Sequence, residues 1–136
     1  ADLPTNIQKL LHDTIEATKQ FTDYTLVLAL NYGARTEVVD AAHAYAAAVA
    51  AGRENLNDDS WASFNRYLST ADLPDPDLVI RTSGETRTSN FLPWQAAYAE
   101  FEFTQTLWPD FTPDELSLIL KRFGNRDRRF GGVARA

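Results

Sequence analysis

Hydrophobic positions along the chain follow two rhythms, and the points where the rhythm changes give an order of elements. Over residues 4–20, Ile7, Leu10, Leu11, Ile15 and Thr18 share one helical stripe, and Pro4 suits a first turn. Tyr24–Leu30 is a β-rich, nearly continuous apolar run, which predicts a strand buried on both faces. Asn31-Tyr32-Gly33 ends it, and a helix is expected to about Ala51, with Val38, Ala42, Tyr45 and Val49 on one face and Gly52 as its cap. Asp58-Asp59-Ser60 opens a further helix that would turn Trp61, Phe64 and Leu68 inward. Pro74, Asp75, Pro76 and Asp77 break the chain before Leu78-Val79-Ile80, a second short buried strand. The polar run Arg81–Asn90 leads to a helical segment capped by Ser89 or Asn90, and residues 98–107 alternate as a third strand. Thr112-Pro113-Asp114-Glu115 joins an N-cap, a first-turn proline and a capping box, so residues 113–123 are expected to be helical.

Helices alternating with short apolar strands predict an α/β fold, a parallel sheet flanked by helices. Three strands are few for that architecture. The 136 residues contain no internal repeat and no low-complexity linker, and they are enough for one compact domain.

Composition narrows the function. Hydrophobic residues at 44% and aromatics at 12% exclude a disordered chain. The absence of cysteine excludes disulfides and thiolate chemistry. No apolar run reaches membrane-spanning length, and Ala1-Asp2-Leu3-Pro4 is not the start of a signal peptide, so a cytoplasmic protein is expected. A net charge of −6 argues against nonspecific nucleic-acid binding. The basic residues are clustered, however: Arg81 and Arg87 share a loop, and Lys121, Arg122, Arg126, Arg128 and Arg129 crowd the C-terminal end. Focused arginines suit a compact anion better than a polymer.

The loop Arg81-Thr82-Ser83-Gly84-Glu85-Thr86-Arg87-Thr88-Ser89-Asn90 is the most informative stretch. It would leave the C-terminal end of a buried strand, where open α/β sheets place ligands. Its two guanidiniums pair with phosphate oxygens, and its hydroxyls donate further hydrogen bonds. A solvated loop in which Arg87 pairs with Glu85 accounts for the same residues. Glu100 and Glu102 read from alternation alone as the solvent side of a strand. No Asp-Asp-x-x-Asp motif follows Asp58-Asp59, and His12 and His43 lack zinc-ligand spacing.

The stretch from Pro76 to Phe111, PDLVIRTSGETRTSNFLPWQAAYAEFEFTQTLWPDF, closely resembles the signature region of cis-prenyltransferases such as undecaprenyl and decaprenyl diphosphate synthases. Asn31-Tyr32-Gly33-Ala34-Arg35 resembles that family's Asn-Tyr-Gly-Gly-Arg motif, with Ala34 in place of the second glycine, and Arg126–Gly132 resembles its C-terminal motif. The resemblance implies a cis-prenyltransferase fold present in part, its N-terminal strands lying outside these residues. It implies an enzyme that condenses isopentenyl diphosphate with an allylic prenyl diphosphate.

By that resemblance Arg81, Arg87 and Ser89, with Thr88 through its backbone, bind the diphosphate of isopentenyl diphosphate. Glu100 helps hold Mg²⁺, and Glu102 is left at the surface. Arg129 and Gly131 match an Arg-x-Gly motif that crosses a homodimer interface. Tyr24, Leu26 and Leu28 would line the tunnel for the growing chain. Contact with a membrane surface would serve release of the lipid product. The family's Asp-Gly-Asn-Gly-Arg loop, with its essential aspartate, has no match in these residues. The chain is therefore expected to be the C-terminal part of a single domain and inactive alone. A non-catalytic partner subunit and a plain phosphate-binding module are the alternatives, against which the joint presence of Arg81, Arg87, Ser89 and Glu100 speaks.

Overall fold

Capping chemistry and proline placement set most element boundaries in the computed structural model, which describes residues 3–57 and 60–126. The chain divides into two compact units, Ala1–Tyr32 and Gly33–Ala136. In the first, α1 (Thr5–Thr18) starts directly after Pro4. None of its residues is buried; Leu10 and Ile15 of the expected stripe are exposed. The stretch Tyr24–Leu30 does not form the predicted strand. It carries no strand pairing, and Tyr24 is 94% exposed and Leu26 84%. An apolar run becomes a buried strand only when neighbours take its backbone bonds and cover its faces. Among the described residues the two strands present pair with each other.

The second unit holds α2 (Ala34–Ala50), α3 (Trp61–Asn65), β1 (Leu78–Arg81), β2 (Glu100–Phe103) and α4 (Pro113–Gly124). Helix α2 buries Ala34, Ala41 and Ala48, so its inner stripe lies one position away from the expected Ala42, which is exposed. It ends in a Schellman motif: Gly52 N–H reaches Val49 O and Arg53 N–H reaches Ala48 O, both at 2.9 Å, with Gly52 at φ 69°. Ser60 caps α3, accepting from Ala62 N at 3.2 Å. Leu68 is buried as expected, but Trp61 faces outward.

Strands β1 and β2 form a two-stranded parallel sheet, with Leu78 opposite Glu100 and Arg81 opposite Phe103. Alternation then puts Leu78, Ile80, Glu100 and Glu102 on one face, and Val79, Arg81, Phe101 and Phe103 on the other. The helix expected after Asn90 is absent; residues 91–98 run through turns. Ser89, Asn90 and Leu92 hold φ of 48°, 66° and 49°, which a right-handed helix cannot contain, and Pro93 has no N–H to give.

Buried apolar residues of this unit are Ala34, Ala41, Ala48, Leu68, Ala96 and Ile119. The alanines bring backbones close, and rings fill the space beside them. Tyr45 meets Phe64 and Tyr67 edge-on at 6.1 and 5.6 Å, and Phe64 packs on Trp94 at 5.1 Å.

Candidate functional site

The loop from Arg81 to Asn90 leaves the C-terminal end of β1, as its sequence predicts. Hydrogen bonding continues past the strand: Thr104 N–H donates to Arg81 O at 2.9 Å, then Ser83 and Gly84 N–H donate to Thr106 and Thr104 O, both at 2.8 Å. Glycine suits Gly84, whose φ is 67°, and a Cβ there would press on the end of the Gln105 side chain. With the base pinned, the chain turns back so that Arg81 Nη2 donates to Ser89 Oγ at 3.3 Å. Arg87, 68% exposed at its side chain, pairs with Glu85. The solvated-loop pairing read from the sequence is therefore present. An exposed pair of this kind contributes at most about 1 kcal/mol, so an arriving anion can displace Glu85.

Asn90 ties the far end of the loop to α2. Its backbone oxygen accepts from Ala34 N–H at 3.1 Å and its Oδ1 from Arg35 N–H at 2.9 Å. Two of the N–H groups that every helix start leaves open are thus satisfied across the fold. Gly33 lets Asn90 approach; a Cβ on Gly33 would sit 3.1 Å from Asn90 Nδ2. The Gly33-Ala34-Arg35 part of the second motif and the polar loop are therefore one structure. Ser83, Ser89, Asn90 and Leu92 all adopt left-handed φ. Non-glycine residues there persist only where surrounding contacts hold them, and they cluster at ligand sites.

Glu100 and Glu102 belong to another arrangement. Helix α4 runs back along their face of β2, so contacts pair in reverse order. Glu115 Oε1 accepts from Thr104 and Thr106 hydroxyls, the latter at 3.1 Å. Arg122 Nε donates to Glu102 Oε1 at 2.7 Å, and Arg126 Nη1 to Glu100 Oε2 at 2.8 Å and Phe101 O at 3.3 Å. Arg126 Nη2 lies 3.3 Å from Glu102 Oε2 as well. Glu102, only 13% exposed at its side chain, is not the surface residue the sequence suggested.

Glu100 sits on the sheet face opposite Arg81 and level with Leu78, about 10 Å away along the strand direction. The structure brings Arg81 and Ser89 together with Arg87 in one loop, and places Glu100 apart from them. The described residues do not fit Mg²⁺ as a set. They contain no group of three carboxylates or histidines able to hold a metal ion, and Glu100 is engaged by Arg126. Arg129 and Gly131 lie outside the described residues. Among the described residues, no helix is long and apolar enough to cross a membrane. A separate cavity of about 310 Å³ is lined by Trp61, Asp75, Pro93, Trp94, Ala97 and Tyr98.

Reasoning from sequence did not single out Glu37 or Gln95. Gln95 is 3% exposed and donates to Glu37 Oε2 at 3.2 Å. The available signal was a glutamine set among apolar residues of the segment FLPWQAAYA.

Comparison with known proteins gives the family and agrees with the fold. The family model for undecaprenyl diphosphate synthases matches residues 1–131. The chain is 47% identical, over 97% of its length, to a ditrans,polycis-undecaprenyl-diphosphate synthase, (2E,6E)-farnesyl-diphosphate specific, of Micrococcus luteus, and covers 53% of that protein. It is 49% identical over 97% of its length to an isoprenyl transferase of Streptococcus mutans, covering 55% of it. The chain thus spans about half the length of the curated relatives it matches. The crystal structure of lavandulyl diphosphate synthase from Lavandula x intermedia, in complex with dimethylallyl diphosphate, superposes with a TM-score of 0.90 at 36% identity, over 96% of this chain and 56% of that one. Family match, motif order and fold agree: the chain belongs to the undecaprenyl diphosphate synthase family of cis-prenyltransferases.

Proposed function

We propose that the encoded protein carrying this chain condenses isopentenyl diphosphate with an allylic diphosphate to make a Z-polyprenyl diphosphate. This chain would supply the grip on isopentenyl diphosphate. The observation that carries the reading is the loop at the end of β1, where Arg81 already meets Ser89 and the backbone is held in left-handed turns. Such a loop is organised before a ligand arrives, which lowers the cost of binding. Arg81 and Arg87 would neutralise diphosphate oxygens, Ser89 would donate from its hydroxyl, and Thr88 would contribute through its backbone. Relatives named as prenyl diphosphate synthases support the same substrate class.

In this reaction the allylic C–O bond breaks and its electron pair leaves with diphosphate. The double bond of isopentenyl diphosphate attacks the allylic carbon, and loss of a proton sets the new cis double bond. The loop's task is to orient the attacking double bond by fixing the diphosphate at its other end. Glu100 could add one ligand to Mg²⁺ only after leaving Arg126, and the remaining ligands would come from elsewhere. We further propose a homodimer in which Arg129 and Gly131 complete the neighbouring site, with Tyr24, Leu26 and Leu28 beside the growing chain and product released at a membrane surface.

Calorimetric titration of the encoded protein with isopentenyl diphosphate tests the reading. Arg81→Ala and Arg87→Ala should each weaken binding about tenfold or more, the worth of a hydrogen bond to a charged group. Unchanged affinity in both would overturn it. Binding without chain elongation would favour a partner subunit or a phosphate-binding module.

A further inference from the structure

Three segments of the second unit converge on one pair of side chains, Glu37 and Gln95. Gln95 Nε2 donates to Glu37 Oε2 at 3.2 Å and to Thr70 Oγ1 at 2.9 Å. The other carboxylate oxygen of Glu37 accepts from the Ser69 N–H at 3.0 Å and from the Ser69 hydroxyl. Glu37 stands in the first turn of α2, the turn whose Ala34 and Arg35 N–H groups Asn90 occupies. The segment from Asn90 to Gln95 is therefore fastened to one helix turn at both ends.

Between the fastenings the backbone holds unfavourable geometry. Asn90 and Leu92 have left-handed φ, and so does Ser89, immediately before the first fastening. Each such residue is strained and needs outside contacts to keep it. The buried Gln95 amide on the half-buried Glu37 carboxylate is such a contact, a charge-assisted bond that ties this segment to α2. Ser89 is the residue that Arg81 reaches. Holding the segment from Asn90 to Gln95 therefore holds Ser89 at Arg81.

We infer that Glu37 and Gln95 are positioning residues for the diphosphate grip. They touch no substrate. They fix the backbone that presents Ser89, and through it the spacing of the Arg81–Ser89 pair. This rests on the reading of the loop as the isopentenyl diphosphate site. A structural role alone would lower the melting temperature and leave ligand constants unchanged, whereas a positioning role changes affinity for one substrate.

The test uses the encoded protein and measures binding of isopentenyl diphosphate and inorganic pyrophosphate, together with KM for each substrate. Gln95→Met, close in shape but unable to donate, should raise both dissociation constants about tenfold or more and leave KM for the allylic substrate within about twofold. Tyr67→Phe, which removes a hydrogen bond elsewhere in the same unit, should lower the melting temperature without changing either constant. The swapped pair Glu37→Gln with Gln95→Glu rebuilds the bond with its direction reversed: the amide oxygen at position 37 still accepts from Ser69, and Thr70, which accepts from Gln95 in the wild type, turns its hydroxyl to donate to the carboxylate at position 95. It should restore affinity lost in Glu37→Gln alone. If Arg87→Ala weakens binding but Gln95→Met binds as the wild type does, the inference is overturned while the site reading stands. If the wild type binds neither ligand, both are overturned. Should Gln95→Met fail to fold, the swap decides: recovery supports positioning, and affinity no better than Glu37→Gln overturns it.

Discussion

Tyr67 donates its phenol hydrogen to Glu54 Oε1 at 2.9 Å, while Arg66 Nη2 holds both oxygens of the same carboxylate at 2.8 and 2.9 Å. Removal of the ring from water, then the Glu54 hydrogen bond and charge, raise the Tyr67 pKa above its ordinary 10.0. A pKa higher in the folded chain than in the unfolded one means that the folded state keeps its proton longer. The contribution is fully present below the ordinary tyrosine value and is lost as pH rises through the folded one. Urea denaturation between about pH 9 and about pH 11 should show stability falling more steeply in the wild type than in Tyr67→Phe; equal slopes would refute the assignment. Some residue roles were legible from sequence and others were not, for a physical reason. Arg81, Arg87 and Ser89 stand out because guanidiniums and hydroxyls gathered in one loop announce anion chemistry. Asn90 suggested a cap for the helix after it, yet it caps α2, accepting from the Arg35 N–H 55 residues earlier. A short polar side chain shows its capacity to cap in sequence but not its partner. Glu37 and Gln95 are equally silent, since their bond joins positions 58 residues apart.

At the scale of elements, α4 shows how much local chemistry decides. Thr112 accepts from Glu115 N–H at 3.3 Å, Pro113 follows as first residue, acids fill the first turn and Lys121 and Arg122 the last. All of this lies within twelve residues or so, and the sequence predicts the helix almost to the residue. Thr112→Ala should lower stability by about 1 kcal/mol in urea denaturation, and no change would show that the cap is redundant. The box itself is half used, because Glu115 turns its carboxylate to Thr104 and Thr106 instead of back to the cap. Strand β2 was legible as a strand, but its Glu face was read as surface at Glu102. Alternation reveals two faces and not what covers them; Arg122 of α4 and Arg126 just past its end cover this one. Tyr24–Leu30 failed for the complementary reason. Its side chains satisfy a strand pattern, while its backbone partners must come from other parts of a sheet, which periodicity does not report.

At the scale of the whole molecule, the chain carries half the length of its curated relatives and a two-stranded portion of an α/β sheet. On the proposed reading it has one anion loop, and the sequence contains no Asp-Gly-Asn-Gly-Arg stretch for a second diphosphate. The 136-residue polypeptide by itself should therefore not incorporate labelled isopentenyl diphosphate into longer prenyl products; measurable elongation would refute this. The exposed run from Tyr24 to Leu30 has a practical consequence for anyone preparing that polypeptide. A stretch without strand pairing that exposes Leu26, Val27 and Leu28 offers a template on which identical chains can stack edge to edge, as amyloid-forming segments do. The same seven residues carry no charge and no proline, the pattern of segments that seed fibres, and a lysine placed among them is the natural gatekeeper.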